Sequence, residues 1–523
     1  MSETSPAVPL PAAAPLDRAA ALERATWALT ASSVAFLYFF RLGGVPPGLF
    51  LDETSVGYNA RAIGRTLADQ YGNFLPLFFR ALEDYKSPLY VYASALTEAV
   101  FGPTAFAVRL PSALYAMGMA IALYFLIRRL TGREALARWV PVLALLAPSI
   151  FTYGRHAVSE TSSFPFWLVL ALLALLRLER DPSWRSGALA GAALGICTYT
   201  YTTGRLLAPL MVGVAAICFW VEPRYRRAVL GLLGGGALLG LPMGVFMLRH
   251  PHTLDKRFHT LWILKDDPSW GVALQRAVVH YAQHLSLDFL FRTGDRVTPR
   301  HNIGVGLLPV WLALPLVLGL WSLWRRRESP TARFVLALVA LSPIPVSLCH
   351  DAWPHASRML HFVPVAYLLA ALAIEDWLAT SKPSRALVAL GLCLALAEGA
   401  GFLESYFVDY PPAAQPQFDG GAGEALRLAF AARQGDEPLY APDSFFIFDG
   451  TYLQFWGDLD PVRFRQVGLE GLGIHRWRPD SQYPPGSLVI LPGSMRPFGG
   501  PATLVGTAPR TGGGVAFSVW KAG

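Results

Sequence analysis

Apolar residues occur in this chain in blocks of about 20, the length an α-helix needs to cross the hydrocarbon core of a bilayer. Clear examples are 106–127, 188–201, 228–248, 305–324 and 386–402. Reading each block as a helix predicts about eleven crossings, centred near residues 33, 116, 143, 170, 194, 213, 238, 314, 340, 368 and 394. Every second connector is basic: Arg128, Arg129, Arg133 and Arg138; Arg177, Arg180 and Arg185; Arg224, Arg226 and Arg227; Arg325, Arg326, Arg327 and Arg333. The positive-inside rule places these connectors and the N-terminus in the cytoplasm, and an odd number of crossings places the C-terminus outside.

The opposite face receives the long connections: a first loop over 42–105, a second over 249–302, a short polar segment over 350–358, and a tail from Glu404. Pro411, Pro412, Gly420 and Gly421 mark a change of composition in the tail. A helical stretch at 424–433 and strand-like runs at 444–448 and 487–491 follow, predicting a small α/β domain. The expected organisation is a disordered cytoplasmic tail (1–24), an all-α polytopic membrane domain (25–403) and an extracytoplasmic α/β domain (404–523).

Composition agrees with this pattern: 53% of residues are hydrophobic and 15% charged. The net charge of +8 comes from basic clusters between apolar blocks, which are topology signals and no nucleic-acid face. Cys197, Cys218, Cys349 and Cys393 lie singly in apolar runs, so neither a disulfide framework nor a zinc site is implied.

Candidate chemistry sits in the long connections. The segment LFLDETSVGYNA (49–60) sets Asp52 and Glu53 at the end of the first apolar block. A carboxylate at an apolar boundary can accept a proton from an attacking hydroxyl or amine. A helix beginning near Ser55 with Asp52 as its cap explains the same residues equally well. The segment LEDYKSPLYVY (82–92) brings Asp84 and Lys86 to a surface where a lipid phosphate would lie. Asp84 there suits an acceptor or a divalent ion, and a snorkelling lysine in an interfacial turn is the plainer alternative. Arg155, His156 and Glu160, then Arg205, then His350, Asp351, His355 and Arg358, are polar positions at the outer ends of apolar blocks. For Arg155 with Glu160 a structural ion pair is the favoured reading.

The order of these segments resembles the GT-C membrane glycosyltransferases, that is, the dolichyl-phosphate-mannose protein mannosyltransferases and their bacterial relatives, including the lipid A aminoarabinose transferases. The likeness is carried by LDE (51–53), DYKSPLY (84–90), FAVRLPSALYA (106–116), APSIFTYGRHAVSET (147–161), CTYTYTTGRLLAPL (197–210) and PIPVSLCHDAWPHASRMLHFVPV (343–365). It implies a GT-C fold in the inner (plasma) membrane, a polyprenyl-phosphate sugar as donor, and an acceptor that is a lipid, a polysaccharide or a protein. Asp52, with Glu53 beside it, is the implied catalytic pair. Lys86, Arg205, Arg358 and His355 are the candidates for the donor phosphate, and Asp84 and Tyr58 those for an acceptor or secondary acidic role. The aromatic stretches 74–79 and 281–291 are expected to edge a groove for the lipid chain. One departure touches the metal question: the aminoarabinose transferases carry a Glu directly before this lysine, where this chain has Tyr85. A divalent metal therefore stays an open option, with no cofactor assigned. The rival class is a transporter or flippase of a lipid-linked sugar, whose marks would be charges in mid-helix and paired broken helices.

Overall fold

The computed structural model of the chain describes residues 18–523 except 83, 158–159, 251–261, 266–268, 296–303, 351–353, 382–384, 479–482 and 498–499. Each of the eleven expected centres falls within a helix. These helices are α1 (Arg18–Phe39), α4 (Ala105–Thr131), α5 (Glu134–Leu145), α7 (Ser163–Arg180), α8 (Trp184–Gly195), α9 (Thr202–Trp220), α10 (Arg226–Arg249), α13 (Ala313–Arg325), α14 (Pro330–Leu341), α17 (Phe362–Thr380) and α18 (Arg385–Val408). Among the described residues seven helical spans are long and apolar enough to cross a membrane, which makes this a multi-pass membrane protein. Between these lie α2 (Leu51–Thr66), α3 (Pro88–Phe101), α6 (Pro148–Tyr153), α11 (Trp270–His284), α12 (Leu287–Phe291), α15 (Ile344–Ser347) and α16 (Ala356–Met359).

The arginine-rich connectors meet at one end of the bundle. Arg138 pairs with Glu23 and Glu134, Arg326 with Glu375 and Asp376, and Arg333 with Glu222. Arg180 donates to the Arg129 carbonyl, and Ser329 to Glu179. The alternation read from the sequence is therefore a real sorting of charge to one end.

Glycines set the closest helix crossing. A Cβ on Gly187 or Gly191 of α8 would lie 1.9 Å from the carbonyl oxygen of Ala228 or Leu232 on α10, and one on Gly231 or Gly235 would lie 2.1 Å from the α8 carbonyls. Two small-xxx-small stripes thus let the backbones touch, the usual device where lipid removes the hydrophobic drive for helix association.

At the other end the first loop folds into α2, a hairpin of β1 (Phe79–Ala81) and β2 (Asp84–Lys86), and α3. Onto it packs the tail: α19 (Tyr410–Phe418), α20 (Ala422–Ala432), α21 (Thr451–Trp456), α22 (Pro461–Gly471) and a five-stranded mixed sheet. The strands are β3 (Leu439–Ala441), β4 (Ile474–Arg476), β5 (Leu488–Pro492), β6 (Ala502–Pro509) and β7 (Val515–Ala522), in the order β4-β3-β5-β7-β6. β3 pairs in parallel with β4 and β5, and the other pairings are antiparallel. The expected helix at 424–433 and the strand at 487–491 correspond to α20 and β5. The run 444–448 is no strand: residues 443–450 form a 3₁₀ helix leading into α21. One buried cluster contains Val56, Ile63 and Val108 together with Leu426, Phe455, Ile474 and Val519, so the first loop and the tail share a core. Gly57 permits this, since a Cβ there would lie 2.4 Å from Phe455.

Candidate active site

The first turn of α2 separates two neighbouring carboxylates. The helix starts at Leu51, so Asp52 lies inside its first turn and does not cap a helix beginning near Ser55. Glu53 turns inward. Its Oε1 accepts from Arg109 Nε at 2.9 Å and Ala157 N at 2.8 Å, and its Oε2 from Arg109 Nη2 at 2.9 Å and Phe50 N at 2.8 Å. Arg109 spends its remaining donors on the carbonyls of Leu42, Pro46 and Gly48, and both side chains are fully buried. With four donors on its two oxygens, Glu53 is held, together with Arg109, against the 42–50 segment and points away from Lys86. Arg109 is the residue whose importance sequence reasoning missed. An ionised side chain within an apolar block was the available signal.

Asp52 points the other way, 22% exposed, and pairs with Lys86 on β2. Strand alternation puts Asp84 and Lys86 on one buried face with Tyr85 between them. Burial works against charge on Lys86. Asp52 first, then Glu160 and Asp84, overcome it and hold the ammonium above its ordinary pKa. Glu160 is thereby placed with Lys86. The expected Arg155–Glu160 pair does not form: Arg155 donates to the carbonyls of Leu37 and Phe40 and lies over the rings of Phe151, Tyr406 and Phe407.

Arg205, in the first turn of α9, donates to the Tyr85 carbonyl and stacks on Phe78, 5.0 Å from the ring centroid. It links the hairpin to a cavity of about 870 Å³ between α8, α9 and α10. Thr202, Gly236, Gly240, Met243, Met247 and Leu348 line its walls, and Arg205 and Arg358 are its charged members. The stretch 74–79 edges this region through Phe78, which packs on Tyr199 and Phe246. The stretch 281–291 supplies none of its lining residues.

Other candidates lie apart. Tyr58 packs edge-on to Phe464 of the tail; at about 100° per residue it faces well away from Asp52 on α2. His355 is held by Ser357 at 2.9 Å and Asp295 at 3.5 Å, and its backbone N–H donates to His284 Nε2. His284 Nδ1 contacts the His280 carbonyl at 2.7 Å, so these two partners fix it as the Nδ1–H tautomer, and burial lowers its pKa to about 4. His355 is not among the residues that line the cavity. Asp351 lies outside the described residues. Among the described residues no three His, Cys, Asp or Glu side chains are grouped to hold a metal ion. The positive charge amid Asp52, Asp84 and Glu160 is the ammonium of Lys86.

Residues 85–249 match the family model for dolichyl-phosphate-mannose-protein mannosyltransferase. An undecaprenyl phosphate-alpha-4-amino-4-deoxy-L-arabinose arabinosyl transferase of Pseudomonas fluorescens is 24% identical over 68% of this chain and 61% of its own length. The chain thus spans about three fifths of that relative. ArnT from Cupriavidus metallidurans, solved with undecaprenyl phosphate, superposes with a TM-score of 0.54 over 95% of this chain and 98% of its own at 14% identity. The archaeal oligosaccharyltransferase AglB from Archaeoglobus fulgidus superposes with a TM-score of 0.50 over 90% and 69% at 12% identity.

Proposed function

We propose that this chain, whose fold matches that of the solved ArnT structure, is an inverting glycosyltransferase of the GT-C type that moves a sugar from a polyprenyl-phosphate donor to an acceptor. The observation that carries this reading is the Asp52–Lys86 pair on a hairpin that Arg205 ties, through the Tyr85 carbonyl, to an apolar cavity whose charged lining residues are Arg205 and Arg358. A polyprenyl phosphate is a long apolar chain ending in an anion, and this cavity offers the matching pair of environments. The solved relative bound to undecaprenyl phosphate supports the same class of donor.

In the proposed reaction Asp52 takes the proton of the acceptor hydroxyl or amine as that atom attacks the anomeric carbon. The bond from that carbon to the phosphate oxygen breaks on the opposite side, so configuration inverts. The electron pair leaves on the phosphate, which moves from one negative charge towards two and is held by Lys86, Arg205 and Arg358. Cations preorganised where charge develops lower the barrier more than they strengthen ground-state binding. Lys86 touches Asp52 in the present arrangement. Its transfer towards the arriving phosphate would release Asp52 to act as base. Lys86 supplies positive charge among Asp52, Asp84 and Glu160.

The arginine-rich end lies in the cytoplasm in this reading, with the site and the C-terminus on the outer face. Reporter fusions after Arg227 and Arg327 are expected to report cytoplasm, and one after Gly421 the outside. The activity itself is tested by incubating purified protein with a panel of polyprenyl-phosphate sugars and measuring released polyprenyl phosphate. Release with at least one donor is expected. Donor that crosses a vesicle membrane without cleavage would replace this reading with a flippase.

A further inference from the structure

A second cavity, of about 720 Å³, opens where the first loop meets the tail. It belongs to neither the Asp52–Lys86 pair nor the apolar cavity that Arg205 and Arg358 line. Its wall combines aromatic rings, neutral hydrogen-bonding groups and the charged Glu470, Arg476 and Arg478. Tyr71, Tyr440 and Phe464 contribute rings, while Gln70, Gln454 and His475 contribute hydrogen-bonding groups beside them. Several of these are fixed in place. Gln70 exchanges hydrogen bonds with Asn59 of α2, at 3.3 Å from Asn59 Nδ2 and 3.2 Å to Asn59 Oδ1, and is 4% exposed. Tyr440 on β3 is packed between His475, at 5.3 Å, and Tyr483, at 4.9 Å between centroids.

We propose that this cavity binds the saccharide portion of the acceptor, an inference that rests on the glycosyltransferase reading and names the partner class of the same reaction. A sugar ring has an apolar C–H face and a rim of hydroxyls that both donate and accept. Aromatic planes set beside amide and imidazole groups match the two together. The position fits as well. Asn59 follows Asp52 by seven residues on one helix, so the near edge of the cavity lies about 10 Å along the α2 axis from Asp52. An acceptor chain of a few sugars seated here can present its end to Asp52, and α2 forms the rigid ruler between the two sites. A protein acceptor would instead be expected to pair with β4, the three-residue edge strand, and to leave the rings unused.

The test uses the full-length protein in detergent and, as probe, fluorescently labelled oligosaccharides released from the source organism's own cell envelope. Tyr71→Ala and Val467→Trp are the informative variants, because both residues line the cavity and are exposed, at 41% and 46%, and so can change without disturbing the core. Saturable binding to the wild type is expected, with a loss of about tenfold or more in each variant, the scale of a removed or blocked aromatic contact. Asp52→Asn should bind as the wild type does. In transfer assays the same two variants should raise the acceptor KM by a similar factor and leave kcat and the donor KM unchanged. Absence of binding to the wild type, or binding that is equal in Val467→Trp, overturns the proposal. Donor cleavage is scored separately: cleavage without oligosaccharide binding rejects this site and keeps the glycosyltransferase reading, and binding without cleavage does the reverse.

Discussion

Glu53 and Asp52 are neighbours in sequence and opposites in environment. Glu53 is fully buried and meets four donors, two of them from Arg109, while Asp52 is 22% exposed and pairs with the single ammonium of Lys86. A buried ion pair with every lone pair engaged holds a fold, because removing either partner strands a charge. A part-exposed carboxylate with one exchangeable partner is free to take a proton. The type of residue says little about the role; the number and exchangeability of its partners decide it.

The sharpest way to break the comparison is to damage the anchor. Glu53→Ala or Arg109→Ala should destabilise the protein by about 3–5 kcal/mol, the cost of leaving one member of a buried pair uncompensated. A fall in the thermal midpoint, and little folded protein, would be the readout. An unchanged midpoint would show that the 42–50 segment is held by something else. Next come the cavity cations. Arg205→Ala and Arg358→Ala should each raise the barrier by about 2–4 kcal/mol, mainly in kcat, with the thermal midpoint nearly unmoved. An effect confined to the donor KM would make them lipid anchors.

A weaker effect is expected at Asp419, which ties the tail to the first loop by accepting from Leu49 N, Gly421 N and Gly423 N. Burial raises its pKa to about 6 despite these donors. A carboxyl whose folded pKa lies above its unfolded value of about 3.8 binds more protons when folded, so its contribution to stability falls as pH rises from about 4 to about 6. Asp419→Asn should flatten that part of the stability profile, which thermal melts across the range would show. The smallest effect belongs to Tyr58→Phe. The Tyr58 hydroxyl is buried without a hydrogen-bond partner, so its loss should change stability by less than about 1 kcal/mol and leave turnover intact.

Much of this was legible in the sequence. Apolar blocks located the helices because lipid leaves the backbone few alternatives to internal hydrogen bonding. The basic connectors predicted the sorting of charge to one end. Asp84 and Lys86 share a strand face, Lys86 pairs with Asp52 in the first turn of α2, and Arg205 in the first turn of α9 reaches the same hairpin through the Tyr85 carbonyl. What stayed hidden depended on partners distant along the chain. Glu53 meets Arg109 across 56 residues, and Glu160 meets Lys86 where proximity in sequence favoured Arg155. The cavity between the first loop and the tail joins segments some 400 positions apart, such as Arg465 and Asp69, which are separated by 396 residues.

The central claim, that adjacent carboxylates divide catalysis from anchoring, is tested most directly by measuring donor turnover and thermal midpoint together in purified Asp52→Asn. The account predicts a midpoint close to the wild type and a rate lower by about 100- to 10,000-fold, the usual contribution of a general base. Near wild-type turnover in a folded Asp52→Asn protein would contradict it.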